Sequence, residues 1–126
     1  MRQSCDMEVS VKKTIGIVGG GAAGMMAAIL AARNGAYVTL LEGNDRVGKK
    51  LLSTGNGRCN LSNRNMGLEM YHTNSPRRLK GWLNQFTTED ITELFRSLGE
   101  LTKPICHGLY PVSGQASTVL DALRYQ

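Results

Sequence analysis

The chain has 126 residues, 41% of them hydrophobic, with 15 lysines and arginines against 10 aspartates and glutamates for a net charge of +5. That length suits one domain or part of a larger one, and the composition is that of a folded chain rather than a disordered one. No apolar run is long enough to span a bilayer, and residues 1–13, which carry two acids and no continuous apolar core, do not form a signal peptide, so a cytoplasmic protein without a membrane association is expected.

Residues 1–12 read as a flexible lead-in, and residues 13–126 as the N-terminal part of a nucleotide-binding domain. The first element is a strand, Ile15-Gly-Ile-Val18, which runs directly into Gly19-x-Gly21-x-x-Gly24. The next residues, Ala22 to Arg33, are strong helix formers with no proline, apolar almost all round, and Gly35 after Asn34 supplies a left-handed C-cap. A second strand, Tyr37 to Glu42, ends on an acid. Strand, glycine turn, helix and strand form the βαβ unit that holds a dinucleotide pyrophosphate. Gly19 permits the tight turn, Gly21 leaves room for the phosphates, and Gly24 lets helix and strand approach closely. The N–H groups of Ala22, Ala23 and Gly24 at the positive end of the helix then face the anion. Glu42, roughly 20 residues beyond the glycines, stands where a carboxylate accepts the hydroxyls of an adenosine ribose.

Gly43-Asn44-Asp45-Arg46 forms a turn, and Val47 to Leu52 is expected to be a short helix. Ser53 to Asn63 is a polar loop dense in residues that tolerate left-handed backbone angles. Within it, Gly55-Asn56-Gly57 brings backbone N–H groups against a phosphate or a ring. Arg58 offers charge-assisted hydrogen bonds to the same ligand. Alternatively, the loop is a rigid connector whose Asn60 and Asn63 cap neighbouring turns. Cys59 beside Arg58 is read as a packed thiol rather than a nucleophile, although the neighbouring cation would lower its pKa.

Ser75-Pro76 opens a helix with Leu79, Trp82, Leu83 and Phe86 as packing residues. Thr87-x-x-Asp90 is a capping box for a second helix, which sets Ile91, Leu94, Phe95 and Leu98 on one face and stops at Gly99. Glu100 to Pro111 reads as a hairpin turning at His107-Gly108, and Ser113 as the cap of a last helix carrying Ala116, Val119, Leu120 and Leu123. That helix runs to Gln126 without a stop signal, so the chain is expected to be the front piece of a larger protein.

Cys5, Cys59 and Cys106 have no metal-ligand spacing, His72 and His107 are isolated, and no metal is expected. The cations Arg46, Lys49, Lys50, Arg58 and Arg64 follow the nucleotide motif and are placed to neutralise two phosphates. No RNA-binding motif accompanies them, which makes nucleic acid the weaker reading of the charge.

Two further segments carry resemblances. Glu42-x-x-x-Arg46-x-Gly48 resembles the continuation of the two-dinucleotide-binding flavoproteins, with Lys49 where those proteins often have a second glycine. Gly48-Lys-Lys-Leu-Leu-Ser-Thr-Gly-Asn-Gly-Arg-Cys-Asn-Leu-Ser-Asn63 closely resembles the hallmark segment of the HI0933-like flavoprotein family. Members of that family are NAD(P)/FAD-dependent or aminoacetone-oxidase-type FAD-binding enzymes. Gly108 to Leu123 is similar to the family's next block, except that an arginine is missing and Tyr110 stands for phenylalanine.

The resemblance implies an α/β, Rossmann-like FAD-binding domain of a flavin-dependent oxidoreductase. Such an enzyme passes electrons between a reductant such as NAD(P)H and a small organic substrate. FAD would be held by Gly19, Gly21, Ala22, Ala23, Gly24, Glu42, Gly43, Arg46, Lys49 and Lys50, with Gly55, Asn56, Gly57, Arg58, Cys59 and Asn60 near the ring. No catalytic acid or base is assigned. The alternatives are a tRNA-modifying flavoprotein, which the basic charge favours, and a non-catalytic, truncated nucleotide-binding module.

Overall fold

A computed structural model describes residues 12–126; the expected lead-in, apart from Lys12, lies outside the described residues. Strand β1 (Thr14–Val18) pairs in parallel with β2 (Tyr37–Leu41), from Thr14 opposite Tyr37 to Val18 opposite Leu41. Helix α1 (Ala22–Arg33) makes the crossover. It ends at Asn34, and Gly35 follows at φ +84°, a conformation that favours glycine at this C-terminal position. The β-branched residues of β1 and the alanine-rich helix thus adopt the structures their side chains favour.

One face of this two-stranded sheet packs against the helix through Ile15, Ile17, Val38 and Leu40, which are half-buried. The opposite face leaves Val18 86% and Leu41 56% exposed. The apolar circumference of α1 is likewise covered on one side only, where Met25 and Ile29 are buried and Leu30 is not.

Three further helices and a small antiparallel sheet complete the described fold. Helix α2 (Pro76–Gln85) has proline in its first turn, but Ser75 makes no side-chain cap bond. Trp82 and Phe86 are exposed, so the expected packing face of α2 reduces to half-buried Leu79 and Leu83. Helix α3 (Thr88–Ser97) has the full capping box: Asp90 N–H donates to Thr87 Oγ1 and Thr87 N–H donates to Asp90 Oδ2. Its Phe95, with Leu98 just beyond, is buried, Ile91 and Leu94 pack beside them, and Gly99 at φ +86° follows the helix.

Strands β3 (Ser62–Asn63), β4 (Thr102–Ile105) and β5 (Gly108–Pro111) pair in the order β3-β5-β4. The hairpin turns at Cys106-His107, one residue earlier than the sequence suggests, because Gly108 is already paired with Ile105. Cys106 takes the positive φ of the turn, +52°.

Helix α4 (Ala116–Arg124) packs against α1 and β5. Its Ala116, Val119, Leu120 and Leu123 are buried in one core with Met25 and Ile29 of α1, Phe95 of α3, and Leu51 and Cys59. Fully burying each valine or leucine stabilises the fold by roughly 1.5–3 kcal/mol. The N-cap of α4 is Gln115 rather than Ser113. The Ser113 hydroxyl instead accepts from Gln115 N–H at 3.2 Å and pairs with the Thr118 hydroxyl at 2.7 Å.

The short helix expected over Val47–Leu52 is replaced by a turn followed by a 3-10 segment, Leu51–Gly57, with left-handed residues at Gly55 and Asn56. The cause is Gly48. It sits at φ +67°, which an α-helix cannot accommodate, and is pressed against Leu120 of α4.

Candidate functional site

The glycine turn between β1 and α1 is held from three sides. Gly19 N–H donates to the Leu41 carbonyl at 2.7 Å, Gly20 N–H to Glu42 Oε2 at 2.7 Å, and Gly48 N–H to the Gly20 carbonyl at 2.7 Å. Gly19 has φ +101°, and a Cβ on Gly24 would overlap the Gly19 carbonyl oxygen, which is the close helix–strand contact the motif implies. At Gly21 an added Cβ would meet nothing within 4 Å. The protein itself therefore does not require glycine at position 21. A ligand lying over the helix would.

The start of the helix beneath is open. The N-cap is glycine, so no side chain satisfies the first N–H groups, and the first turn carries no acid. The first helical bond runs from Met25 N–H to the Gly21 carbonyl at 2.9 Å. The N–H groups of Ala22, Ala23 and Gly24 are left at the positive end of the helix dipole, where a phosphate is stabilised.

Glu42 stands immediately after β2 and beside this turn. Its Oε1 accepts from Asn44 N–H at 2.8 Å and Asn44 Nδ2 at 2.6 Å, in addition to the Gly20 bond on Oε2. These donors, the Asn44 backbone first, then the Asn44 amide and Gly20, hold the Glu42 carboxyl below the usual carboxylate range. Glu42 is thus an anion throughout the neutral and mildly acidic range. Its contribution is present above the ordinary carboxylate pKa and is lost as pH falls through the lowered value.

A cavity of about 410 Å³ opens beside the helix start. Gly21, Ala22, Lys50, Cys59 and Asn60 line it together with Phe86, Ile91 and Phe95. A larger crevice of about 550 Å³ between α1, β2 and α4 contains none of the candidate residues, so the smaller cavity is the one beside the glycine turn.

The cations after the motif do not converge. Lys50 lines the cavity; Lys49 pairs with Asp45 at 3.4 Å, and Arg64 lines a separate groove with Lys80. The Arg58 guanidinium lies 5.3 Å from the centre of the Tyr110 ring, a cation–π contact. Of the residues expected to hold FAD, only Gly21, Ala22, Lys50, Cys59 and Asn60 line the cavity; Gly19, Ala23, Gly24, Glu42, Gly43, Arg46, Lys49, Gly55, Asn56, Gly57 and Arg58 lie outside its lining.

The loop is rigidly shaped. Gly55 (φ +56°), Asn56 (+54°), Gly57 (+77°) and Cys59 (+57°) have left-handed backbones. A Cβ on Gly55 would lie 2.8 Å from the Asn60 backbone nitrogen. With its amide oriented to suit its neighbours, Asn60 donates to the Ser62 and Leu109 carbonyls at 2.8 and 3.2 Å. Asn63 Oδ1 accepts from Asn65 N–H at 2.9 Å, a turn cap as the connector reading expects. Cys59 is buried, and burial pushes its thiol pKa up; the lowering expected from the neighbouring Arg58 does not occur. Among the described residues, no group of side chains could hold a metal and no helix is long and apolar enough to cross a membrane.

Sequence reasoning missed Gly20 and Asn44. A Cβ on Gly20 would lie 2.6 Å from Val47 Cγ1 and 3.1 Å from Glu42 Oε2. The signal for Gly20 was present in the middle glycine of the Gly19-Gly20-Gly21 run, which the motif alone does not need.

The HI0933-like protein Rossmann domain matches residues 13–126. The chain is 46% identical over 114 residues to the 3-dehydro-bile acid delta(4,6)-reductase of Clostridium scindens, covering 89% of this chain and 28% of that protein. It is 36% identical over 83 residues to the ribosomal RNA dihydrouridine synthase of Escherichia coli, covering 66% and 21%. The Haemophilus influenzae protein of that name is 32% identical over the same length. The chain therefore spans only 21–28% of the length of these relatives.

Proposed function

The chain belongs to the HI0933-like Rossmann-domain family, a family of flavoprotein oxidoreductases, and on that premise we propose that it binds the adenosine and pyrophosphate end of FAD in a reductase fed by NAD(P)H. The observation that carries the reading is the uncapped, acid-free start of α1 beneath Gly21, with an ionised Glu42 beside it. The N–H groups of Ala22, Ala23 and Gly24 hold the pyrophosphate, and Lys50 adds a positive charge at the cavity wall. Glu42 takes the adenosine ribose. Gly55 shapes the loop whose Cys59 and Asn60 bound the cavity, placing the flavin end of the cofactor on that side. Bound FAD supplies two-electron chemistry, accepting hydride from a donor and passing it to an acceptor.

The substrate assigned here is a small organic molecule that gains hydrogen, in keeping with a relative named as a bile-acid reductase. A second reading, reduction of a base in RNA, is favoured by one observation. Arg77, Arg78 and Lys80 lie on α2 with no acid in that helix, beside Trp82, which is 64% exposed. RNA binding that weakens steeply with salt would select this second reading.

The test is the flavin of the intact protein. It should purify yellow or reconstitute with FAD, and the flavin should bleach anaerobically on addition of NADH or NADPH. Glu42→Gln keeps the shape and removes the charge, and should weaken FAD binding roughly tenfold at neutral pH. An unchanged dissociation constant would remove Glu42 from the ribose site.

A further inference from the structure

A carboxylate offers about four acceptor sites, and in Glu42 three are occupied. Asn44 N–H at 2.8 Å and Asn44 Nδ2 at 2.6 Å fill Oε1, while Gly20 N–H at 2.7 Å takes one site on Oε2. At most one acceptor site remains, on Oε2, since the Gly43 backbone N–H also acts on the carboxylate. A ribose presents two adjacent hydroxyls, so Glu42 as it is held can serve only one of them. The group beside it that can serve the other is the exposed Asn44 amide, which has a second Nδ2 hydrogen and an Oδ1 that accepts no bond among the described residues.

We propose that the adenosine ribose is read jointly by Glu42 and Asn44, with Oε2 accepting one hydroxyl and the Asn44 side-chain amide bonding the other. The inference rests on the FAD reading above and adds to it a specificity-determining residue that lies outside the glycine motif. Gly20 completes the arrangement: its N–H fixes which oxygen of Glu42 is left open, and its missing side chain lets Val47 and Glu42 close over the turn.

The inference is tested on the intact protein by calorimetric titration with ADP and with 2′,3′-dideoxy-ADP, which shares the base and phosphates but has neither hydroxyl. The wild-type protein should prefer ADP. Asn44→Ala should weaken ADP binding roughly tenfold and leave dideoxy-ADP within about twofold, since the lost partner is one that ligand never used. Asn44→Ser, which keeps a short hydroxyl, should recover part of the loss for ADP. An equal loss for both nucleotides, or an ADP loss that vanishes when Asn44→Ala is added to Glu42→Gln, would show that Asn44 merely supports the loop or holds Glu42 and would overturn the proposal. Unchanged ADP binding would overturn it as well. A wild-type protein that binds neither nucleotide would overturn the FAD reading itself, and this inference with it.

Discussion

Gly21→Val is expected to abolish flavin retention while leaving the fold standing. Gly21 has φ −76° and ψ −178°, an extended conformation that any residue adopts, and a Cβ there meets no protein atom within 4 Å. The fold therefore loses little: valine is a poorer N-cap than glycine, at a cost of about 1 kcal/mol or less. The new side chain, however, occupies the space over the free N–H groups of α1, where the pyrophosphate must come within hydrogen-bond distance. Affinity for FAD should fall by on the order of a hundredfold or more, the equivalent of losing several charge-assisted bonds together. Circular dichroism and the denaturation midpoint should be close to wild type. A variant that purified with a full complement of flavin would make the glycine turn a structural element only.

Gly24→Val should fail in the opposite way. Its Cβ would overlap the Gly19 carbonyl oxygen and lie 3.0 Å from the Gly19 carbonyl carbon, with Ile17 Cγ2 at 3.6 Å. The obstacle is backbone, not the end of a flexible side chain, so α1 would have to lift from β1. Overpacking of this kind costs about 1–3 kcal/mol and occasionally more. The cost here should reach the top of that range, because α1 also carries buried Met25 and Ile29. Denaturant unfolding should show the loss directly, with flavin binding lost as a consequence. A midpoint equal to that of wild type would contradict the close approach of helix and strand.

What was legible in the sequence was local. The capping box at Thr87 and Asp90 involves residues three apart, and α1 is bounded by glycines on either side of helix-forming alanines. The βαβ order and the acid after β2 follow from the same short-range patterns. What escaped was set by distant neighbours. Gly48 takes a left-handed backbone inside the expected helix, and its neighbour there is Leu120, far along the chain. Trp82 and Phe86 have helical spacing that suggests a core, yet Trp82 is largely exposed and Phe86 only lines a cavity against α3. Ser113 looks like a cap, but its hydroxyl is engaged with Thr118 and with the backbone of Gln115, the actual cap. The cations after the motif form a cluster in sequence and scatter in space, one to Asp45, one onto Tyr110 and one to a separate groove. The shape of the loop from Gly55 to Asn60 was only partly legible, because it is set by backbone angles at Gly55, Asn56, Gly57 and Cys59 rather than by a pattern of side chains.

The central claim is that these residues hold the adenosine and pyrophosphate half of FAD. Competition against bound FAD tests it most directly, with FAD fluorescence in the intact protein followed as ADP or FMN is added. ADP, which carries the adenosine ribose and both phosphates, should displace FAD, and Glu42→Gln should weaken that displacement roughly tenfold. FMN, which lacks the adenosine, should compete far less well. Displacement by FMN with no effect of ADP would place the binding energy elsewhere and contradict the account.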